Sequence, residues 1–154
     1  MSFWDTSAIV PLIVREQETP SMLALLKTHQ MVTVWTLAEI EIVSALARRK
    51  REGSLTEDGA QQAEELLAQF WNSVTEVVDV TRVKLRATRL LKSHTLRAAD
   101  AMQLAAALLA TRDQPEGQWF VTLDQRLAEA AKREAFSVGP QGQPEVEAQW
   151  RMQE

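Results

Sequence analysis

Asp5 stands in the opening run MSFWDTSAIV, between Phe3-Trp4 and Ala8-Ile9-Val10, and the nearest base, Arg15, is roughly three helical turns further on. A carboxylate in such surroundings needs compensation, from a helix N-terminus that it caps or from a cation outside the chain. Further acids stand at strand ends or helix starts: Glu39 and Glu41 after MVTVWT, Asp100 near a helix start in LRAADAMQLAAAL, and Asp124 closing FVTLD. Most have no Lys or Arg beside them. Gathered in one cleft they would repel one another, and each would favour its protonated form. A hard divalent cation removes that conflict. Mg²⁺ takes oxygen ligands at about 2.1 Å, keeps several waters and shares its shell with phosphate oxygens. Such an ion turns bound water into hydroxide and shields charge during in-line phosphoryl displacement. Ser7, Thr6 and Thr122 add hydroxyls suited to holding a water or a phosphate oxygen, although bonding local backbone is the commoner role.

Each acid also has a purely local explanation. Asp at a strand-to-helix junction usually caps the helix, and Asp100 near a helix start is favoured by the dipole there. For Asp124, Thr122-Leu123-Asp124-Gln125 is itself a T-x-x-Q capping box, which leaves Asp124 in the first turn with no capping task. Glu39 and Glu41, two apart on a helix, point to nearly opposite sides. Glu39 shares its side with Ile42, Val43 and Leu46; Glu41 shares its side with Leu37, Ser44, Ala45 and Arg48, where small groups let a ligand approach. Glu41 is the candidate, with Glu39 in reserve.

The elements that must position these acids follow from periodicity. Strands are expected at 2–5, 31–36, 74–80, 118–123 and 136–138, and helices at 7–16, 19–28, 37–51, 55–72, 81–93, 98–112 and 124–134. Thr19-Pro20 reads as a cap with Pro at the first helical position, and Ser54-Leu55-Thr56-Glu57 as a capping box. Short strands separated by helices give an α/β domain with a mainly parallel, roughly five-stranded sheet. Right-handed crossovers then put every strand-to-helix junction on one edge, where ligands bind in such sheets. Residues 139–154 change character, with clustered Gly and Pro, and read as a tail after a domain spanning 1–138.

With 154 residues, 45% hydrophobic and 25% charged, the composition is that of an ordinary globular protein. No Cys is present, which excludes disulfides, thiolate metal sites and cysteine nucleophiles and fits a reducing cytoplasm. No apolar run approaches a membrane span. The net charge of −4 argues against wholesale coating by nucleic acid and leaves the placement of bases to decide. Arg82, Lys84, Arg86, Arg89, Lys92 and Arg97 form an acid-free basic stretch, and Arg48-Arg49-Lys50-Arg51 a second one at a helix end. A solvated face explains both. Their concentration in an acidic chain, beside the expected cleft, favours contact of Arg48, Arg82, Arg86, Arg89 and Arg97 with a polyanion. His29 and His94 are too scattered for a zinc site or a general base and read as surface histidines. Trp4, Trp35 and Trp119 lie in strands and read as core.

Four stretches, in order, resemble the PIN-domain ribonucleases, in particular the VapC toxins of bacterial toxin–antitoxin pairs: WDTSAIV, EIVSALARRKREGSL, LRAADAMQLAAAL and FVTLDQRLAEAA. The likeness spans about 2–138 and independently favours Glu41. It implies a PIN-like three-layer α/β/α fold. It also implies Mg²⁺- or Mn²⁺-dependent RNA cleavage by Asp5, Glu41, Asp100 and Asp124, and neutralisation by a VapB-like antitoxin. Gln103 stands where the family often has His, and Ala135 where Gly commonly precedes the last strand; neither is expected to touch the acid set. A homodimer is expected, with helices two and three or four forming either its surface or an antitoxin groove. Two other readings compete. An aspartyl-nucleophile phosphatase would want an Asp where Ser7 stands. A non-catalytic module would use its acids only to receive a partner's arginine.

Overall fold

The computed structural model describes residues 1–140. In chain order the elements are β1 (Ser2–Trp4), α1 (Thr6–Ile13), α2 (Thr19–Thr28), β2 (Val32–Trp35), α3 (Ala38–Arg51), α4 (Glu57–Trp71), β3 (Thr75–Val77), α5 (Val80–Ser93), α6 (Ala98–Ala110), β4 (Trp119–Val121), α7 (Gln125–Arg133) and β5 (Ser137–Gly139). The five strands pair in parallel throughout, in the order β3-β2-β1-β4-β5. The sheet expected from the sequence is therefore present, and the strand order reverses at β1, the position that puts a crevice between the β1 and β4 carboxyl ends.

Strands covered on both faces read as continuous apolar runs rather than as alternation, and SFW, VTVW and WFV do. Phe3, Trp35 and Phe120 join α5, α6 and α7 in one core, while Trp4, Val34 and Val121 join α1 to α4 in the other. Phe120 sits between Phe3 and Phe136, with ring centroids 5.4 and 5.7 Å away. Trp119 is only half-buried and tilts against the ring of His29, so neither is the core tryptophan nor the surface histidine expected.

Most differences from the expected elements lie at helix starts. α4 is capped by Thr56, whose hydroxyl accepts from Gly59 N–H at 3.0 Å, and Ser54 turns back to the Arg49 carbonyl. Thr19 caps nothing: it is the first residue of α2, and its hydroxyl ties Glu16 N–H to the Pro11 carbonyl. β3 is shorter than expected, and β5 takes in Gly139, one residue into the expected tail. Beyond Pro140 that tail, with Trp150, lies outside the described residues.

Ala135 bridges α7 and β5 with φ at 72°, a left-handed conformation that costs an L-residue about 1–2 kcal/mol and glycine almost nothing. The turn is fixed by Ala135 N–H to the Lys132 carbonyl and Phe136 N–H to the Ala131 carbonyl, at 2.9 and 3.0 Å. That is the physical content of the family's glycine here. Ala135→Gly is expected to raise the unfolding free energy by about 0.5–1 kcal/mol, the relief of strain outweighing the freer unfolded chain. Urea denaturation of the two proteins measures it.

Candidate active site

The β1–α1 junction is the centre of the site. Asp5 is 4% exposed. It continues the β1–β4 ladder by donating its N–H to the Val121 carbonyl, then turns the chain into α1 as its N-cap, with Oδ1 accepting from Ala8 N–H at 3.2 Å. The Ser7 hydroxyl donates to the same oxygen at 2.8 Å. These bonds favour the carboxylate but do not outweigh burial, which pushes Asp5 up to about 7. Asp5 thus caps a helix, and among the described residues no cationic side chain pairs with it.

The two hydroxyls after Asp5 reach different parts of the chain. Thr6 donates to Glu41 Oε2 at 2.6 Å and accepts from Gln103 Nε2 at 3.0 Å; Gln103 Nε2 also lies 3.4 Å from the Glu41 oxygen. Ser7 Oγ accepts from Leu123 N–H at 2.8 Å and lies 3.2 Å from the Thr122 hydroxyl. Thr122 accepts from Asp124 N–H at 3.0 Å. One helical turn therefore binds α3 and α6 through Thr6, and the β4–α7 junction through Ser7. Glu41 is half-buried in this network, whereas Glu39 is exposed and outside it.

Asp124 is itself the N-cap of α7, its Oδ1 accepting from Leu127 N–H at 2.9 Å. The capping box expected around it does not form, because Thr122 is turned toward Ser7. Asp124 shares a cleft of 540 Å³ with Asp100, in the first turn of α6, and with Arg97 and Arg126. Burial, then the charge of Asp124, raises Asp100; Arg97 and Arg126 pull it back only in part. Among the described residues no three Asp, Glu or His side chains lie close enough to form a ready-made metal cage. The Asp100–Asp124 pair is an open, all-oxygen arrangement of the kind that suits Mg²⁺, which typically uses one or two carboxylates and keeps its waters.

Several expectations need correction. Gln103 does touch the acid set: it is 1% exposed, bonded to Thr6 and Glu41, and its Oε1 has no partner among the described residues. Its signal was a lone amide in an otherwise Ala-, Leu- and Met-rich helix, three residues after Asp100. Arg126, two residues beyond Asp124, was missed and lines the cleft. Of the arginines expected beside the cleft, only Arg97 lines it; Arg82, Arg86 and Arg89 line a different groove, and Arg86 is paired with Asp113. Arg48 is exposed in the last turn of α3. His94 is not a surface histidine: its side chain is 6% exposed and its Nε2 lies 2.6 Å from Glu134, which ties the α5–α6 connection to the end of α7.

A three-layer α/β/α domain whose strand order reverses beside a carboxylate-lined cleft is the class that these features define. The chain belongs to the PIN domain family, whose model matches residues 3–133. It is 34% identical over 106 residues to Ribonuclease VapC45 of Mycobacterium tuberculosis (strain CDC 1551 / Oshkosh), covering 69% of this chain and 74% of that one. In fold it resembles PAE2754 from Pyrobaculum aerophilum, with a TM-score of 0.64, 18% identity, and 98% and 93% of the two chains covered. It also resembles VapBC2 from Rickettsia felis, solved bound to a DNA fragment from its promoter, with a TM-score of 0.60, 12% identity, and 89% and 96% covered.

The raised Asp5 has a consequence for stability. Its carboxyl holds a proton in the folded state at pH values where the unfolded chain has released it. In a chelator, stability should therefore fall as pH rises from about 4 to 7 and level off above, by on the order of 4 kcal/mol for Asp5 alone. Asp5→Asn keeps an acceptor for Ala8 and Ser7 and should flatten most of that slope. Thermal unfolding in EDTA across this range tests it; an unchanged slope refutes the role of Asp5.

Proposed function

We propose that this chain is a divalent-cation-dependent endoribonuclease that hydrolyses RNA phosphodiesters, and the toxin of a VapBC-type toxin–antitoxin pair. The observation that carries the chemistry is the cleft in which Asp100 and Asp124 face one another between Arg97 and Arg126. Family membership and the VapC ribonuclease relative support the substrate class.

Asp100 and Asp124 are the residues to hold Mg²⁺ or Mn²⁺, with Asp5 and Glu41 completing the acidic surround. When bound, the cation supplies a nucleophilic hydroxide and offsets charge on the phosphate. The chain's own groups do the rest. Arg97 and Arg126 flank the carboxylates and suit the phosphate oxygens of the bound strand. Thr6 and Gln103 fix the Glu41 carboxylate from two sides, so its orientation is set before substrate arrives. Ser7 ties the β1–α1 turn to the β4–α7 junction and sets how far apart Asp5 and Asp124 stand.

In this reading protein partners use two further surfaces. A groove of 640 Å³ between α1, α2 and α4, with Leu12, Leu23, Leu55 and Leu66 in its lining, suits the apolar face of an antitoxin segment. The exposed Ile40 and Val43 of α3 and Val78 and Val80 beyond β3 are the surface for a homodimer. No described helix is long and apolar enough to cross a membrane.

Asp100→Asn should lower Mg²⁺-stimulated cleavage of structured RNA by about 100-fold or more while leaving the protein folded; full activity in this variant would reject the assignment. Millimolar Mg²⁺ or Mn²⁺ should raise the melting temperature of the parent protein, since a ligand bound only by the native state stabilises it. The shift should shrink in Asp100→Asn. A parent protein with no shift at all would favour the non-catalytic module.

A further inference from the structure

α5 and α6 are joined by residues 94–97 and pack along their length as an antiparallel hairpin. Asp100 lies at one end of α6. From the middle of the hairpin toward its other end, Arg82, Arg86 and Arg89 of α5, Arg112 beyond α6, and the apolar Leu85 and Leu109 line a second groove, of 480 Å³. It shares no lining residue with the acidic cleft. At about 1.5 Å per residue, Leu109 lies roughly 13 Å along the helix from Asp100, and Arg112 further still.

The charges in this groove are not self-compensated. Arg86 is held by Asp113 at 2.6 Å, whereas among the described residues no carboxylate pairs with Arg82, Arg89 or Arg112. Arg112 and Asp113 both have left-handed backbones, with φ at 52° and 58°, held by bonds from Arg112 N–H to the Leu109 carbonyl and Asp113 N–H to the Leu108 carbonyl. That turn sets Asp113 against Arg86 and brings Arg112 to the groove. Three unpaired guanidinium groups converge there on a chain of net charge −4, an arrangement that repels itself until a polyanion enters.

We infer that this groove is a second RNA-binding site, which grips the phosphates of the strand several nucleotides away from the bond that is cut. Guanidinium forks match phosphate oxygens, and Leu85, 62% exposed between the arginines, offers an apolar surface to a base or ribose that an acidic peptide would leave unused. The inference rests on the ribonuclease reading for its substrate. At roughly 3.4 Å per stacked nucleotide, a strand needs about four to six nucleotides to reach from the cleft to the groove. Long RNA then engages both sites at once, whereas very short RNA occupies either one alone.

The test is binding of fluorescent single-stranded RNA, about 20 and about 4 nucleotides long, in EDTA so that no cleavage interferes. The parent chain is compared with Arg82→Ala/Arg89→Ala/Arg112→Ala; Arg86 is kept for its ion pair, and melting temperature confirms folding. The expected result in EDTA is at least about tenfold weaker binding of the long RNA and a salt-dependence slope smaller by about two. With Mg²⁺, KM for the long RNA should rise and kcat should hold, while KM for cleavage of the short RNA, which reports the cleft alone, should stay unchanged. An equal rise in KM for both lengths, or no loss of long-RNA binding, overturns the inference, as does loss confined to a polyglutamate peptide used as a protein-like polyanion. Arginine-dependent binding of long RNA by a parent chain that cleaves nothing with Mg²⁺ sustains the groove and sinks the nuclease reading alone.

Discussion

The buried carboxylate of Asp5, with no cationic side chain paired to it among the described residues, is the constraint on which the rest of the site depends. Asp5 is fixed by the sheet through its own N–H, by α1 through its capping bond and by Ser7 through a hydroxyl. Three anchors leave it little freedom to turn toward solvent. The tension of an acid held where it favours protonation is therefore built into the hydrogen bonds of the β1–α1 turn, to the backbone and to the carboxylate alike. The neighbouring residues carry the same rigidity outward, Thr6 to α3 and α6 and Ser7 to the start of α7.

Much of this was legible in the sequence because it follows from the order of the elements. Five short apolar runs separated by helical patterns specify a parallel sheet, and the handedness of crossovers then gathers the junction acids on one edge. The opposite placement of Glu41 and Glu39, one bonded to Thr6 and the other exposed, was also readable, since a two-residue offset on a helix reverses direction. The α/β architecture and the PIN family agree with the structure in these respects.

The misreadings have a common cause. Thr122 looks like a cap for α7 until its partner is known to be Ser7, more than a hundred residues earlier in the chain. Ser54 and Thr56 both fit a capping pattern, and only backbone angles decide between them. His94 looks solitary because Glu134 is forty positions away. Periodicity reports which face of an element is buried; it says nothing of which polar group will lie opposite. Charge behaves likewise: a run of arginines along α5 is visible, but not which end of the hairpin each one serves.

α6 carries a further consequence. Ala101, Ala105, Ala106 and Ala107 are all buried, closely packed between the sheet and the surrounding helices. Small side chains allow that close approach, and they leave no slack. A larger residue at any of them displaces the whole rod, with Asp100 and Gln103 riding on it. Drift in this stretch should thus be paced by steric tolerance, with alanine-to-larger changes surviving only alongside a compensating trim in the facing wall.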